Sequence, residues 1–460
     1  VSGRRAGLVA GAIVLSALAG LATPVGCGGP RTEDPAESPR VLVFGIDGAD
    51  WDRAIPLIRE GRMPALARLM RDGASRTQQT VPPSPAGRER LSPTIWTTAV
   101  TGVLPERHGI LHFVTNEPDG TQPVTSNQRK VAALWNMATV RDHTVGVLGW
   151  LVTWPAERVN GYVVSSYTPY IFRWNSGPGS RPIKGTLVQG LPDQVWPPEL
   201  QPELERLKVA PEDVTDAELQ RRFTGVPLPA SPDRDAAESL QGMRWSWAAD
   251  ATYERVFHHL AEEPPGGKRP QLELLYFASV DVVSHRFWKY MEPGTWTDMP
   301  LADADIEAYG RAVESAYRNV DGVLERVLAR ETDPVRTFVL SDHGFRENDQ
   351  ESRATSSGWH RPEGILVAAG PGLKEGVRLA EGSLVDAAPT VLYALGLPVA
   401  DDFDGDAALE LFTDDWVAMH DVDRIPSWEP EVERLRRDAP VASPVDAEIL
   451  DRLESLGYLD

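Results

Sequence analysis

Val41-Leu42-Val43-Phe44-Gly45-Ile46-Asp47-Gly48-Ala49-Asp50 is where the fold declares itself. The residues up to Ile46 carry no polar side chain, show no alternation, and run straight into Asp47-Gly48. An apolar run of this length ending in a turn signal predicts a strand buried on both faces, as in a parallel sheet covered by helices. Similar valine-rich runs fall at 144–148, 272–278, 337–340 and 365–369. Helical patterns separate most of them, near 63–71, 131–140, 235–262, 303–330 and 384–395. The first of these is punctuated by Pro64 near its start and Gly73 after its end. Strands alternating with helices predict an α/β layered fold with a mainly parallel central sheet. Residues 170–235 hold many prolines, with Gly177, Gly179, Gly185 and Gly190, but little periodicity, and are expected to form an insertion or cap over the sheet.

In such a sheet, ligands collect at the carboxyl ends of strands, so the polar residues beside the apolar runs bear on function. The first run ends in Asp47-Gly48-Ala49-Asp50. The third ends at Asp281, with His285 four residues later; the fourth ends in Asp342-His343-Gly344; His360 lies just ahead of the fifth. Three carboxylates and three imidazoles suit two divalent cations of the zinc or manganese kind, and the single cysteine, Cys27, excludes a cysteine-based cage. Each residue alone has an ordinary structural explanation. Asp47 or Asp50 could cap the next helix, Asp281 and His285 could be a surface pair at i and i+4, and Asp342-His343 could be a polar turn. Their shared position at strand edges is what singles them out.

Between the first two runs stand Leu91-Ser92-Pro93-Thr94-Ile95-Trp96-Thr97-Thr98-Ala99-Val100-Thr101-Gly102 and then Pro105-Glu106-Arg107-His108-Gly109-Ile110. A hydroxyl at a helix start faces unpaired N–H groups and the positive end of the dipole, which stabilise an attacking oxygen or a bound phosphate. Ser92 and Thr94 both qualify, and Ser92-Pro93 is equally an ordinary N-cap and first helical residue.

Composition sets outer bounds. The 460 residues include 46 Lys plus Arg against 67 Asp plus Glu, a formal charge of −21, and 42% are apolar. That is ample for one large domain or two, and an acidic surface argues against a nucleic-acid polymer as partner. Residues 6–30 hold no charge, follow Arg4-Arg5 and have an apolar heart at 8–21, the order of a secretory signal and short for a membrane span. Cys27 follows Val25-Gly26 as in a lipoprotein signal. Residues 1–27 are therefore expected to be a signal peptide with lipid attached at Cys27, or else an uncleaved membrane anchor, and 28–39 a tether. The folded part, 40–430, is expected outside the cytoplasm in the cell envelope, with 431–460 as a tail.

Taken in order, Asp47-Gly48, the segment from Ser92 to Thr101-Gly102, Pro105-x-x-His108-Gly109-Ile110, Asp281-x-x-x-His285, Asp342-His343-Gly344 and His360 resemble the alkaline phosphatase superfamily. Within it they are similar to the type I phosphodiesterase/nucleotide pyrophosphatase branch, over roughly residues 41–406. The resemblance implies an alkaline-phosphatase-like layered fold and a metal-dependent hydrolase of small phosphate esters, diesters foremost, acting through a covalent phosphoserine. It implies that Asp47, Asp342 and His343 hold one metal together with the nucleophile oxygen, and that Asp281, His285 and His360 hold the other. The nucleophile position, nine residues before the Thr of Thr101-Gly102, falls on Ser92, with Thr94 a lesser candidate. Sulfatases carry Pro at +2 and Arg at +4 from their modified residue, where this chain has Thr94 and Trp96, which argues against that activity.

The Asn that follows His-Gly in nucleotide pyrophosphatases is Phe113 here, with Asn116 nearby, so nucleotide preference stays open. Arg88 and Arg90 could supply the extra positive donor a monoester needs, and Tyr167, Tyr170, Phe172 and Trp174 could stack on a base or line a lipid pocket. Rival readings are a phosphomonoesterase, a phosphoglycerate-mutase-like phosphotransferase and a non-catalytic envelope lipoprotein. Ser455-Leu456-Gly457-Tyr458-Leu459 resembles a tail of bacterial members.

Overall fold

The computed structural model describes residues 40–85, 91–117, 120–166, 192–230, 232, 234–296, 301–349 and 356–435. Cys27, Arg88, Arg90, Tyr167, Tyr170, Phe172, Trp174 and the 455–459 tail motif lie outside them.

The opening stretch forms β1 (Arg40–Ile46), at the heart of a sheet that continues through β2 (Gly73–Gln79), β3 (Val145–Leu148), β4 (Gly161–Val164), β5 (Val195–Trp196), β6 (Leu272–Phe277), β7 (Val335–Leu340), β8 (Glu363–Ala369) and β9 (Val377–Arg378). Their spatial order is β9-β2-β8-β7-β1-β6-β3-β4-β5, and Gly382–Ser383 adds to β2. β1 runs parallel to β6 and β7, with Phe44 opposite Leu275 on one side and Val339 on the other. Side chains alternate across the pleat. Leu42, Phe44 and Ile46 enter one core; Val41 and Val43 enter the other. That double burial is why the run is continuously apolar.

Helices cover both faces. On the first lie α1 (Trp51–Arg59), α2 (Pro64–Arg71), α5 (Arg234–Glu262), α6 (Ser279–Met291) and α7 (Ala312–Leu328). On the second lie α3 (Ser92–Thr101), α4 (Leu134–Val140) and α8 (Ala387–Ala394). The helix expected over 303–330 is two helices, Asp303–Tyr309 and α7, and the one over 384–395 begins as a 3₁₀ turn, Leu384–Asp386, before α8. Described residues of the expected insertion send Leu204, Val209, Val214, Leu219 and Phe223 into the first core.

Two strands depart from the parallel expectation: β5, at the edge beside β4, and β8, which matters for the site. β8 is antiparallel to both β7 and β2, with Leu366 opposite Leu340 and Ala369 opposite Thr337. β2 itself, Gly-Ala-Ser-Arg-Thr-Gln-Gln, gives no strand signal in its composition. It is stabilised by tertiary partners: the buried Arg76 donates to Gln78 at 3.0 Å and to Glu410 at 2.5 Å.

Candidate active site

β7, β1 and β6 are adjacent and parallel, so their carboxyl ends open on one edge. Asp47 follows β1 directly, Asp342 and His343 follow β7, and Asp281 lies in the first turn of α6, just after β6. His285 is one turn further on the same face of α6. His360 stands on the short strand Gly358–Arg361, which pairs with Gly344–Glu347 just ahead of β8. Because β8 runs the opposite way, its start meets the carboxyl end of β7. A parallel β8 would have placed His360 at the far edge, so the antiparallel strand is what completes the set.

These six side chains come together and are buried. Nε2 of His343 lies 3.3 Å from Asp47 Oδ1, 3.3 Å from Asp342 Oδ2 and 3.8 Å from Asp281 Oδ1. Asp281 Oδ1 is also 3.4 Å from His285 Nε2 and 3.6 Å from His360 Nε2. Within this set, two groupings have metal-ligand spacing: Asp281, His285 and His360, and Asp47, Asp281 and His343. Asp281 thus borders both, while Asp342 joins through His343.

Four of the six, Asp47, Asp342, His285 and His343, are held from behind by hydrogen bonds, while the Nε2 atoms of His285 and His360 face each other at 3.0 Å. Asp47 Oδ2 accepts from Trp96 Nε1 at 3.0 Å and from the Tyr276 hydroxyl. Asp342 Oδ1 accepts from Gly48 N at 3.2 Å. His285 Nδ1 faces the Gly358 carbonyl at 2.9 Å and His343 Nδ1 the Gly344 carbonyl at 3.1 Å, so each donates there, which leaves Nε2 as the atom a cation would take. In contrast, Asp47 Oδ1, Asp281 Oδ1, Asp342 Oδ2 and His343 Nε2 are buried without an aligned hydrogen bond. Buried polar atoms are normally satisfied, so four such atoms converging on one space fit cation binding.

The charges say the same. Burial and the neighbouring Asp47 carboxylate push Asp342 well above the usual range. Burial pushes Asp281 up too, but His285 and His360 outweigh it and hold it below that range. Burial lowers His343, yet Asp342 and Asp47 drive it up to about 10. Burial and His343 push His360 down to about 3. Protons here are doing what a divalent cation would do, and such a cation would displace them.

Asp50, not Asp47, is the N-cap of α1. Its carboxylate accepts from Arg53 N and Phe345 N, both at 3.0 Å, and pairs with Arg361 at 3.4 Å. Asp47 is therefore free for other work. Gly48 has φ +77°, and a Cβ there would lie 2.6 Å from the Phe345 ring, which packs edge-on against His285 and His360. This explains the Asp-Gly opening by space as well as by backbone conformation.

Ser92 is the first residue of α3, and Thr94 follows it inside the first turn. All ten residues of α3 are buried although half are hydroxylated. Thr97, Thr98 and Thr101 satisfy themselves on carbonyls one turn back, those of Pro93, Thr94 and Thr97. Trp96, one turn after Ser92 on the same helical face, is the residue bonded to Asp47, so the face bearing Ser92 is turned toward the strand edge. His108 supports α3 structurally: its Nδ1 accepts from Ile110 N at 3.1 Å and its Nε2 lies 3.0 Å from Thr98 Oγ1.

Sequence reasoning did not single out Trp96, Tyr276, Ser356 or Asp250 as partners of the site. Ser356 Oγ lies 2.8 Å from His285 Nδ1, and Asp250 accepts from the N–H groups of Ala278 and Ser279 where α6 begins. Each lies far in sequence from the group it holds, so no local signal could reveal it.

The model of the type I phosphodiesterase / nucleotide pyrophosphatase family matches residues 41–403. The chain belongs to that family. Membership places this chain among the phosphodiesterase and nucleotide pyrophosphatase enzymes. Among solved structures it is similar to the wild-type alkaline phosphatase PafA, with TM-score 0.52 and 12% identity over 82% of this chain and 99% of that one. Mouse ectonucleotide pyrophosphatase / phosphodiesterase 5 gives 0.44 and 13% over 81% and 100%, and its human counterpart 0.42 and 12% over 81% and 100%. At such identities the likeness to PafA bears on the fold alone. No curated protein matches the sequence. Among the described residues, no helix is long and apolar enough to cross a membrane.

Proposed function

We propose that this family member hydrolyses small phosphate esters, diesters foremost, at two divalent cations, zinc or manganese. Asp47, Asp342 and His343 would hold one, with the Ser92 oxygen as a further ligand, and Asp281, His285 and His360 the other. Cations bound there supply charge that lowers the pKa of the Ser92 hydroxyl and stabilises the leaving oxygen. The observation that carries this reading is the convergence of four buried ligand atoms, from Asp47, Asp281, Asp342 and His343, that make no aligned hydrogen bond.

Ser92 is preferred to Thr94 because it heads α3 and keeps 5% exposure, whereas Thr94 has none and a nucleophile must be reached. Deprotonated Ser92 attacks phosphorus, the ester oxygen leaves with the bonding pair and takes up a proton, and Ser92 holds the phosphoryl group together with its remaining ester in the case of a diester. Water then attacks the same phosphorus from the vacated side, Ser92 departs as the leaving oxygen and regains a proton, and phosphate ester or phosphate is released. Diesters are placed first because the family whose model matches is that of phosphodiesterases and nucleotide pyrophosphatases. We further propose export, with Cys27 as the lipid-bearing anchor.

The test is hydrolysis of a chromogenic phosphodiester, phosphomonoester and sulfate ester by protein beginning after Cys27, supplied with zinc or manganese. Diester cleavage that chelator abolishes and that Ser92→Ala lowers at least about a thousandfold is expected. Dominant monoester cleavage would reassign it as a phosphatase, and no turnover with metal demonstrably bound would favour a non-catalytic role.

A further inference from the structure

We infer that Trp96 is a positioning residue that locks the nucleophile helix α3 to the metal-facing carboxylate of Asp47, and that it sets which oxygen of Asp47 faces the metal. The inference rests on the metal-dependent reading above.

Trp96 is fully buried, and its indole N–H donates to Asp47 Oδ2 at 3.0 Å. The Tyr276 hydroxyl, from β6, donates to the same oxygen. Two donors on Oδ2 leave Oδ1 as the free oxygen, and Oδ1 is the atom found 3.3 Å from His343 Nε2 without an aligned bond. Both donors hold the carboxylate plane so that one oxygen is engaged behind it and a single oxygen faces the cluster.

The indole is itself fixed on every side. Its ring meets Trp150 edge-on at 4.9 Å and Tyr276 at 5.2 Å. Trp150 Nε1 donates to the Trp96 carbonyl at 3.2 Å, which clamps the α3 backbone as well. On the strand side Gly45 leaves the room the ring occupies, since a Cβ there would lie 2.9 Å from Trp96 Cη2. Ser92 stands one turn before Trp96, so the indole-to-Asp47 bond also fixes how far the nucleophile sits from the ligand. Loss of a hydrogen bond behind a metal ligand typically lowers metal affinity about 10–100-fold.

The experiment uses Trp96→Phe, which keeps a ring and removes the N–H, and Tyr276→Phe, which removes the other donor and guards against misfolding of the first variant. Zinc affinity is measured stepwise by chelator competition, with melting temperature of the metal-free protein and visible absorption of the cobalt-substituted form. The expected result is a loss of at least tenfold in one of the two zinc-binding steps, an unchanged second step, a changed cobalt spectrum and a nearly unchanged melting temperature. Both variants matching wild type in both steps would overturn the proposal. So would an equal weakening of both steps together with a lower melting temperature, the signature of a packing role. A wild-type protein that takes up no divalent metal would overturn the functional reading itself, and this inference with it.

Discussion

At the scale of single residues, the site depends on groups that leave space as much as on groups that fill it. Gly45 sits in the middle of β1, where its absent side chain admits Trp96 and Trp150, whose ring atoms lie 2.9 and 3.3 Å from a Cβ built there. Both rings are fully buried and cannot swing aside. Gly45→Ala is therefore expected to destabilise the fold by about 1–3 kcal/mol through overpacking, seen as a lower urea midpoint with an unchanged slope; an unchanged midpoint would show that the rings give way. The same scale shows what sequence reading can reach. Asp47, Asp281, His285, Asp342, His343 and His360 were legible because each stands beside an apolar run. Trp96 and Tyr276 were not, because an aromatic residue within a buried helix or strand has the same appearance whether it fills a core or holds a carboxylate.

At the scale of elements, α2 illustrates a helix start capped from afar. It begins at Pro64 without a side-chain cap of its own, and its free N–H groups at Ala65 and Leu66 are met at 3.1 and 2.8 Å by Asp321 of α7. Burial pushes the Asp321 carboxyl up to about 6, in spite of those two bonds. A carboxyl raised on folding binds more protons in the native than in the unfolded state, so its contribution to stability is complete below about pH 4 and is lost as pH rises through 6. The gap in melting temperature between wild type and Asp321→Asn should therefore shift against the wild type between pH 4.5 and 7.5. A gap independent of pH would contradict the raised value.

Elements also mark the limit of local patterns. β1, β3, β6, β7 and β8 were visible as apolar runs because buried strands demand them. The direction of β8 was not, since an apolar run has no polarity along the chain, and β2 was hidden because Arg76 and Gln78 find their partners only in the folded chain.

For the molecule as a whole, the two helical layers meet at one edge of the sheet: under the proposed function α3 would bring the hydroxyl, while α6 carries Asp281 and His285, Asp47, Asp342 and His343 follow β1 and β7, and His360 stands on the hairpin ahead of β8. A chain of formal charge −21 can still receive an anion there, because bound cations rather than surface charge would neutralise it. Export and lipidation at Cys27, as proposed above, would tie the protein to a membrane. The full chain produced in a bacterial host should sediment with membranes, and Cys27→Ser should move it to the soluble or secreted fraction; equal sedimentation of both would point to an uncleaved apolar anchor instead.

The central claim is that phosphorus passes through Ser92. Zinc- or manganese-loaded protein mixed briefly with a phosphodiester, quenched in acid and digested should yield the peptide spanning Ser92 and Thr94 heavier by the retained phosphoryl ester, with fragmentation placing it on Ser92. Label on Thr94, or rapid turnover with no label on either hydroxyl, would contradict the account.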